Sequence, residues 1–451
     1  MPFRRMIELP RNTLTRALSL LLLLTASHSA HGQLFTFRKV ADTDTLIPGA
    51  AGNFAGGFYF PALDNGRVAF FGAGDDLEGF YADASGELTR VADSTTMLPG
   101  NSGELGFDLE PALDNGQIAF QAFGNVDGVY LYRDGAISVV ADDNTLVPGT
   151  SARFDSFGFL DRPVMHNGQL VFLGDASEPD LRSGAYSFAD GTLSTIADTD
   201  TPVPGQMRNF EFFEFSEPAI HDGAVAFVGN QFEEPGIYLA QSGSLQVVAD
   251  TTTALPDDPA KSFFDFGSPY GGLDMDHTTI AFVSDGGIYR FDRQSGVIRT
   301  VADTSALVPD GEGELFDGFF ETVSVSEGRV AFGYGDLLGG PFGPAPDPPF
   351  FGVYVELDDA LQKVIAVDDA LDGKIVERAW MGTQGFRGDE IAVWVEFADG
   401  TEGVYVATLV PEPATIVLIL IAAAALAARL LLFDLRAGRR CFTPWRYCAR
   451  R

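Results

Sequence analysis

Residues 40–93 read VADTDTLIPGAAGNFAGGFYFPALDNGRVAFFGAGDDLEGFYADASGELTRVAD, and the triplet that opens this stretch also closes it. Between the two copies lie four short runs rich in β-branched and aromatic residues. Alternation of apolar and polar positions marks such runs as strands. Asn65-Gly66 stands between the first two. Both central residues of a type I′ turn need positive φ, so this dipeptide predicts a tight hairpin.

The same unit recurs along the chain. The triplet, or a near copy, ends at Asp42, Asp93, Asp142, Asp198, Asp250, Asp303 and Asp368. Each copy leads into a variant of DTxTLxPG, then a Phe-rich stretch, then a hairpin such as PALDNGQIAFQA at Pro111 or PAIHDGAVAFVG at Pro218. A third run carries Gly two residues before Tyr, as in EGFYA and PGIYL, and a fourth run returns to the triplet. No segment of the repeat keeps a helical period. Four strands per unit of roughly fifty residues is the pattern of a propeller blade. The reading is therefore all-β: a seven-bladed β-propeller of four-stranded blades over residues 33–409.

The two ends of that body support the count. It opens with a lone fourth run, LFTFRKVAD, at residues 34–42, and closes with a third run, GVYVATL, at residues 403–409. Pairing between them completes the last blade and closes the ring, which removes exposed sheet edges. The second and third runs, as in DGAVAFVG and PGIYLA, resemble the repeats of TolB-type propellers. That resemblance implies fold and no activity.

Residues 1–32 carry Arg4, Arg5, Arg11 and Arg16, an apolar run, and the small-residue exit Ala30-His31-Gly32. This is the order of a secretory signal peptide, with Gln33 as the mature start. At the far end, Pro411, Glu412 and Pro413 precede the apolar stretch 414–433, and seven arginines lie between Arg429 and Arg451. The apolar stretch predicts a C-terminal transmembrane helix, with the basic tail held cytoplasmic. Together the tripeptide, span and basic cluster resemble a PEP-CTERM sorting signal. The resemblance implies recognition and removal of residues 410–451 by an exosortase-type enzyme, with the body at the cell surface or outside it. A plain membrane anchor is the other reading of the same stretch.

Cys441 and Cys448 lie in the tail, so residues 33–409 contain no thiol. That excludes a disulfide framework, a thiol nucleophile and a thiolate metal site from the exported body. The body holds 18 basic and 60 acidic residues, a net charge of −42. Such a surface repels nucleic acid and anionic lipid and favours cations.

Several groups invite a functional reading. Asp42, Asp93, Asp142, Asp198, Asp250 and Asp303 fall at equivalent strand exits on one face, and carboxylates offer oxygen ligands to Ca²⁺. Capping of the turns that follow is the simpler role for them. Asp274, Asp276 and His277 in GLDMDHTT resemble a fragment of a metal loop but lack the Gly and distal Glu of an EF-hand. His166 and His221 fall at the hairpin position occupied by Asp64 and Asp114, and read as polar turn residues. The Phe-rich stretches (Phe54, Phe58, Phe60; Phe154, Phe157, Phe159; Phe210, Phe212, Phe213, Phe215) could present an aromatic sugar-binding surface, although packing between blades is the expected role. The Pro-rich insert at residues 339–352 makes a stiff loop and a candidate for specificity. No Gly-x-Ser-x-Gly elbow, HExxH helix or P-loop occurs. We therefore expect no catalytic residues and no cofactor beyond the Ca²⁺ just considered. The expected function is binding of extracellular polysaccharide or a surface protein. The alternatives are a hydrolase or lyase acting in the channel, or a structural matrix component.

Overall fold

The computed structural model describes residues 34–410 apart from 85, 101–104, 109, 159–161, 178, 180, 214–216, 230–233, 267–271, 317–319 and 336–350. The expected signal peptide, Pro411, Glu412, Pro413, the expected C-terminal helix and most of the Pro-rich insert thus lie outside the described residues. The chain divides into two compact units, residues 37–408 on the one hand and residues 1–36 with 409–451 on the other.

Antiparallel sheets, seven in all, follow one another along the described chain, and no helix occurs among the described residues. The first is the meander Gly56–Asp64, Arg67–Gly74, Leu77–Ala84 and Glu87–Asp93. Its tight turn is type I′ as expected, with Asn65 at φ 49° and Gly66 at φ 74°. The first strands of the sheets are Gly56–Asp64, Ala112–Asp114, Val164–His166, Ala219–His221, Leu273–Met275, Phe320–Ser326 and Phe386–Arg387. Each touches the next, and the last touches the first. A closed cycle of seven first strands is the inner wall of a seven-bladed propeller.

Ring closure occurs where the repeat places it. Phe35–Asp42 is hydrogen-bonded beside Glu402–Leu409 in the sheet of blade seven. Thr43 N–H donates to Glu402 O at 3.2 Å, and Lys39 Nζ pairs with Asp372 at 2.8 Å. Blade seven is also the irregular one. The degenerate DDALDGK stretch forms an extra hairpin, Ala370–Leu371 with Lys374–Trp380. Lys374–Trp380 and Phe386–Arg387 both pair with Glu390–Phe397, so the first-strand place is split. The intervening residues 381–385 are freed to enter the channel.

Two sequence signatures prove to be one structural device. In blade one Phe80 pairs with Ala92 but Tyr81 with Arg90, so the fourth strand bulges at Val91. The bulge brings the triplet's carbonyl against Gly79, where a Cβ would stand 2.2 Å from Ala92 O. Gly-x-Tyr and Val-Ala-Asp therefore require each other. The Tyr that follows meets a Phe of the Phe-rich stretch edge-on: Phe54–Tyr81 at 4.9 Å, Phe154–Tyr186 at 4.9 Å, Phe210–Tyr238 at 4.8 Å and Phe263–Tyr289 at 4.9 Å. Phe54, Phe58, Phe154, Phe157, Phe210 and Phe213 are buried core residues, so they form no sugar-binding surface. Phe54 and Phe58 of blade one join Trp380 and Val404 of blade seven in one cluster, which is packing between blades.

Candidate functional site

The six acidic strand exits do not converge. They end the outermost strands of separate blades, and each is engaged by its own turn. Asp44 N–H and Thr45 Oγ1 donate to Asp42 Oδ1 at 3.0 and 2.8 Å. The pattern repeats at Asp142, Asp198 and Asp250 with Thr145, Thr201 and Thr253, and at Asp303 with Ser305. Asp93 accepts from Thr95, Thr96 and Arg90. Burial alone would push its carboxyl up, but these donors outweigh burial and hold it below the usual carboxylate range.

Chemistry gathers instead along the inner wall, at two levels. The deeper level is built by residues that immediately precede the hairpin proline in successive blades: Phe60, Glu110, Arg162 and Glu217. Arg162 is 1% exposed, and its Nη1 reaches Glu110 at 2.8 Å and Glu217 at 2.6 Å. The guanidinium carbon stands 4.4 Å from the centre of the Phe60 ring, and Nε is 3.8 Å from Asp108. The freed loop of blade seven completes the cluster: Thr383 N–H donates to Glu110 at 2.7 Å and Thr383 Oγ1 to Glu217 at 2.6 Å. Bonds joining blades two, three, four and seven must cross the axis, so this cluster closes the channel. Burial, then the neighbouring Glu217, push the Glu110 carboxyl well above its usual range despite Arg162. Burial raises Glu217 as well.

Four residues further along the first strands lies the upper level, the mouth, a cavity of about 270 Å³. Its rim is the first-hairpin position of each blade: Asp64, Asp114, His166, His221, Asp276, Ser326 and Arg387. Leu113, Met165, Ile220, Met275 and Val325 supply apolar lining. Most rim residues bind the next blade's turn. Asp64 accepts Asn115 N–H at 2.7 Å, Asp114 accepts Gly168 N–H at 2.8 Å, and His166 Nδ1 accepts Asp222 N–H at 3.1 Å. Asp276 accepts Gly328 N–H at 2.6 Å, and Ser326 Oγ accepts Gly388 N–H at 2.8 Å. His221 breaks the series, since its side chain makes no hydrogen bond among the described residues. Its ring lies 4.1 Å from that of His166 and 6.0 Å from that of His277. The turn-residue reading thus accounts for His166 and leaves His221 without a structural role.

Burial pushes both imidazoles down, His221 to about 4 with a further contribution from His166, so both are neutral at pH 7. Asp274, which with Asp276 and His277 resembles a fragment of a metal loop in sequence, is separated from them. It is buried beneath the rim, where Val325 N–H and Ser324 Oγ donate to it at 2.7 and 3.0 Å. Burial pushes its carboxyl up to about 6. Asp276 caps its own turn through Thr278 and Thr279 N–H, both donating to its Oδ1. Sequence reasoning missed Asp222 and the whole deeper cluster. The available signal was the residue before each hairpin proline, which reads acid, base, acid in blades two, three and four.

No curated protein matches the chain in sequence. Among solved structures, the β-propeller domain of the Trilobed protease from Pyrococcus furiosus is similar at 12% identity and a TM-score of 0.45, covering 77% of this chain and 94% of that one. A puromycin-hydrolyzing peptidase of Mycobacterium tuberculosis is similar at 12% identity and a TM-score of 0.43, covering 75% of this chain and 49% of that one. PorZ, a bacterial surface component of the type-IX secretion system of Porphyromonas gingivalis, is similar at 14% identity and a TM-score of 0.44, covering 80% and 47%. The chain spans about half the length of the peptidase and of PorZ, and likenesses this distant carry no activity across. A family profile matches residues 36–345, more than half of the sequence, and the chain accordingly belongs to the family of unknown function DUF7453.

Proposed function

We propose that the protein is an exported surface component, sorted through residues 410–451 by an exosortase-type enzyme, whose propeller is a non-catalytic binding module. Its partner is an extracellular polysaccharide, with another surface protein as the second candidate. The observation that carries the binding reading is the form of the mouth: a cup with a polar rim and apolar lining, backed by the buried Arg162 cluster. A substrate cannot be threaded through such a channel, and its volume falls below the roughly 300–1,000 Å³ of a small-molecule pocket. The cup suits one protruding sugar residue or side chain of a larger partner. Export is supported by the charged, apolar and small-residue order of residues 1–32, and sorting by Pro411, Glu412 and Pro413 before an apolar span.

Filling the cup tests the binding reading. Met165→Trp overpacks a buried position at a cost of about 1–3 kcal/mol, and the folded variant should weaken saturable binding to extracellular polysaccharide at least tenfold. Equal binding by the variant would move the partner surface elsewhere. Release of shortened polysaccharide by the unmodified chain would replace binding with hydrolysis or elimination. Sorting is checked by mass spectrometry of surface material from an exosortase-bearing host, where peptides from residues 437–451 should be missing.

A further inference from the structure

The chain has five histidines, His28, His31, His166, His221 and His277, and the three within the described residues all lie at the channel mouth. They come from three consecutive blades. His166 and His221 hold the position that is Asp in blades one, two and five, whereas His277 follows it. A rim residue has one evident structural task, to accept the next turn's N–H. His221 does not perform it. Its ring is instead held against His166, with 21% of the side chain exposed, facing the carboxylate of Asp222.

We propose that His166, His221 and Asp222 form a binding site for a first-row transition-metal dication of the Zn²⁺ and Ni²⁺ class. Ligand atoms of the three residues all lie within 4.8 Å of one another. Asp222 Oδ1 is 3.6 Å from His166 Nδ1, and Asp222 Oδ2 is 3.6 Å from His221 Nε2. Ligands bound at about 2.0–2.1 Å to one ion, at tetrahedral to trigonal angles, stand about 3.4–3.6 Å apart. Those two spacings match a shared ion, and with all three ligand atoms within 4.8 Å of one another small side-chain rotations, including a turn of the His166 ring off Asp222 N–H, close the site around it.

The donor set selects the class of ion. Two imidazoles and one carboxylate suit zinc, nickel or copper, whereas Ca²⁺ and Mg²⁺ require oxygen ligands. Binding exchanges the 3.1 Å hydrogen bond from Asp222 N–H to His166 Nδ1 for a metal bond. That N–H belongs to an exposed residue, so water can take it over. The strongly acidic body raises the local concentration of cations. His277 is exposed, and its ring lies 6.0 Å from that of His221. A rotamer change would make it a fourth ligand, and otherwise that position is left to water or to a group of the partner. The inference rests on the rim alone and holds whether or not the proposed polysaccharide binding does.

The test is calorimetric titration of the full chain in mild detergent, after chelator treatment, with ZnCl₂ and NiCl₂. One site per chain with a micromolar or tighter Kd is expected. Ca²⁺ at a hundredfold excess should not displace the ion. His221→Gln and Asp222→Asn should each weaken Zn²⁺ at least thirtyfold with unchanged circular dichroism, and His277→Ala three- to tenfold. Co²⁺ gives a second readout, a visible d–d band that should vanish in His221→Gln. Absence of saturable Zn²⁺ binding, full binding by folded His221→Gln, or displacement by Ca²⁺ would each overturn the proposal. Should His221→Gln fail to fold, Asp222→Asn decides alone, because its side chain lies on the surface.

Discussion

The strand exits at the outer edge of the blades and the hairpin turns at the inner wall occupy the same repeat, yet they differ in kind. At the outer exits six blades carry the same Asp, and it does the same work in each, binding donors two or three residues on. At the inner turns the residue changes from Asp to His, Ser and Arg as the ring is followed. Uniformity marks a position whose task is local and repeats with the blade. Divergence marks a position whose neighbours belong to other blades, so that its task depends on where in the ring it stands. The buried cluster is the extreme case, since Glu110, Arg162, Glu217 and Thr383 only make sense as a set.

Removing the closing strand should break this comparison most severely, because both regions presuppose a closed ring. Deleting residues 33–42 exposes Glu402–Leu409 as an edge and removes Phe35, which is buried and stabilises by about 1.5–3 kcal/mol on its own. The deleted form should aggregate or melt many degrees below its parent in light scattering and calorimetry. A monomer with the parent's melting temperature would show that closure does not hold the ring.

Next in size is the cluster that blocks the channel. Arg162→Ala leaves Glu110 and Glu217 buried without their counter-ion, and breaking a buried pair from one side costs about 3–5 kcal/mol. Denaturant titration should register that loss at pH 7 and a smaller one at pH 4, where the carboxyls are more readily protonated. A loss under about 1 kcal/mol at pH 7, far below that range, would mean that the deeper level does not hold the blades together.

Much of this molecule can be read before folding, and the unread part has a definite physical character. Seven units, a shared strand at the ends and I′ turns at Asn-Gly all follow from patterns within one repeat. The pairing of Gly79 with Ala92 also lies within a blade, although its steric reason appears only in three dimensions. What escapes is contact between equal registers of different blades. Asp222 stands in the second place of its turn, where Asn65 and Asn115 bend the chain and bond the rim Asp beside them, and only the adjacent His166 and His221 change its meaning. Thr383 is hidden more deeply, because a split first strand had no counterpart in the blades that defined the repeat.

Asp274 separates the two levels of the inner wall by its titration. Burial raises its folded pKa from 3.8 to about 6. The stability contributed by the protonated form is complete below the unfolded value and is lost as pH rises through the folded one. A shift of that size corresponds to about 3 kcal/mol between pH 4 and 7. Asp274→Asn keeps an oxygen for Val325 N–H and Ser324 Oγ, so the variant should show a flatter stability curve across that window. An unchanged slope would assign the pH dependence to Glu110 and Glu217, which have the same sign.

The outer caps should respond more mildly, and in proportion to burial. Asp93 is fully buried and accepts four hydrogen bonds, so Asp93→Ala should cost about 2 kcal/mol. Asp303 is half-buried and serves Ser305 alone, and Asp303→Ala should cost about half as much. Equal costs at the two positions would mean that the exits do more than cap turns.

Calcium should have the smallest effect, and it bears directly on the contrast between the two regions. An ion at 100 times its dissociation constant stabilises by about 2.7 kcal/mol, a shift of several degrees in a melting curve. The outer carboxylates are numerous, but they belong to separate blades, and the Oδ1 of each already takes donors from its own turn. Hard cations need six to eight oxygens around one point, and a single Asp per blade edge cannot supply them. Millimolar Ca²⁺ should therefore move the melting temperature by no more than a degree, and by no more than Mg²⁺ at equal ionic strength. A saturable rise specific to Ca²⁺ would sink this account of the exits. If Asp93→Ala or Asp303→Ala then abolished the rise, the repeated Asp would be a ligand, and uniformity would no longer separate structural positions from binding ones.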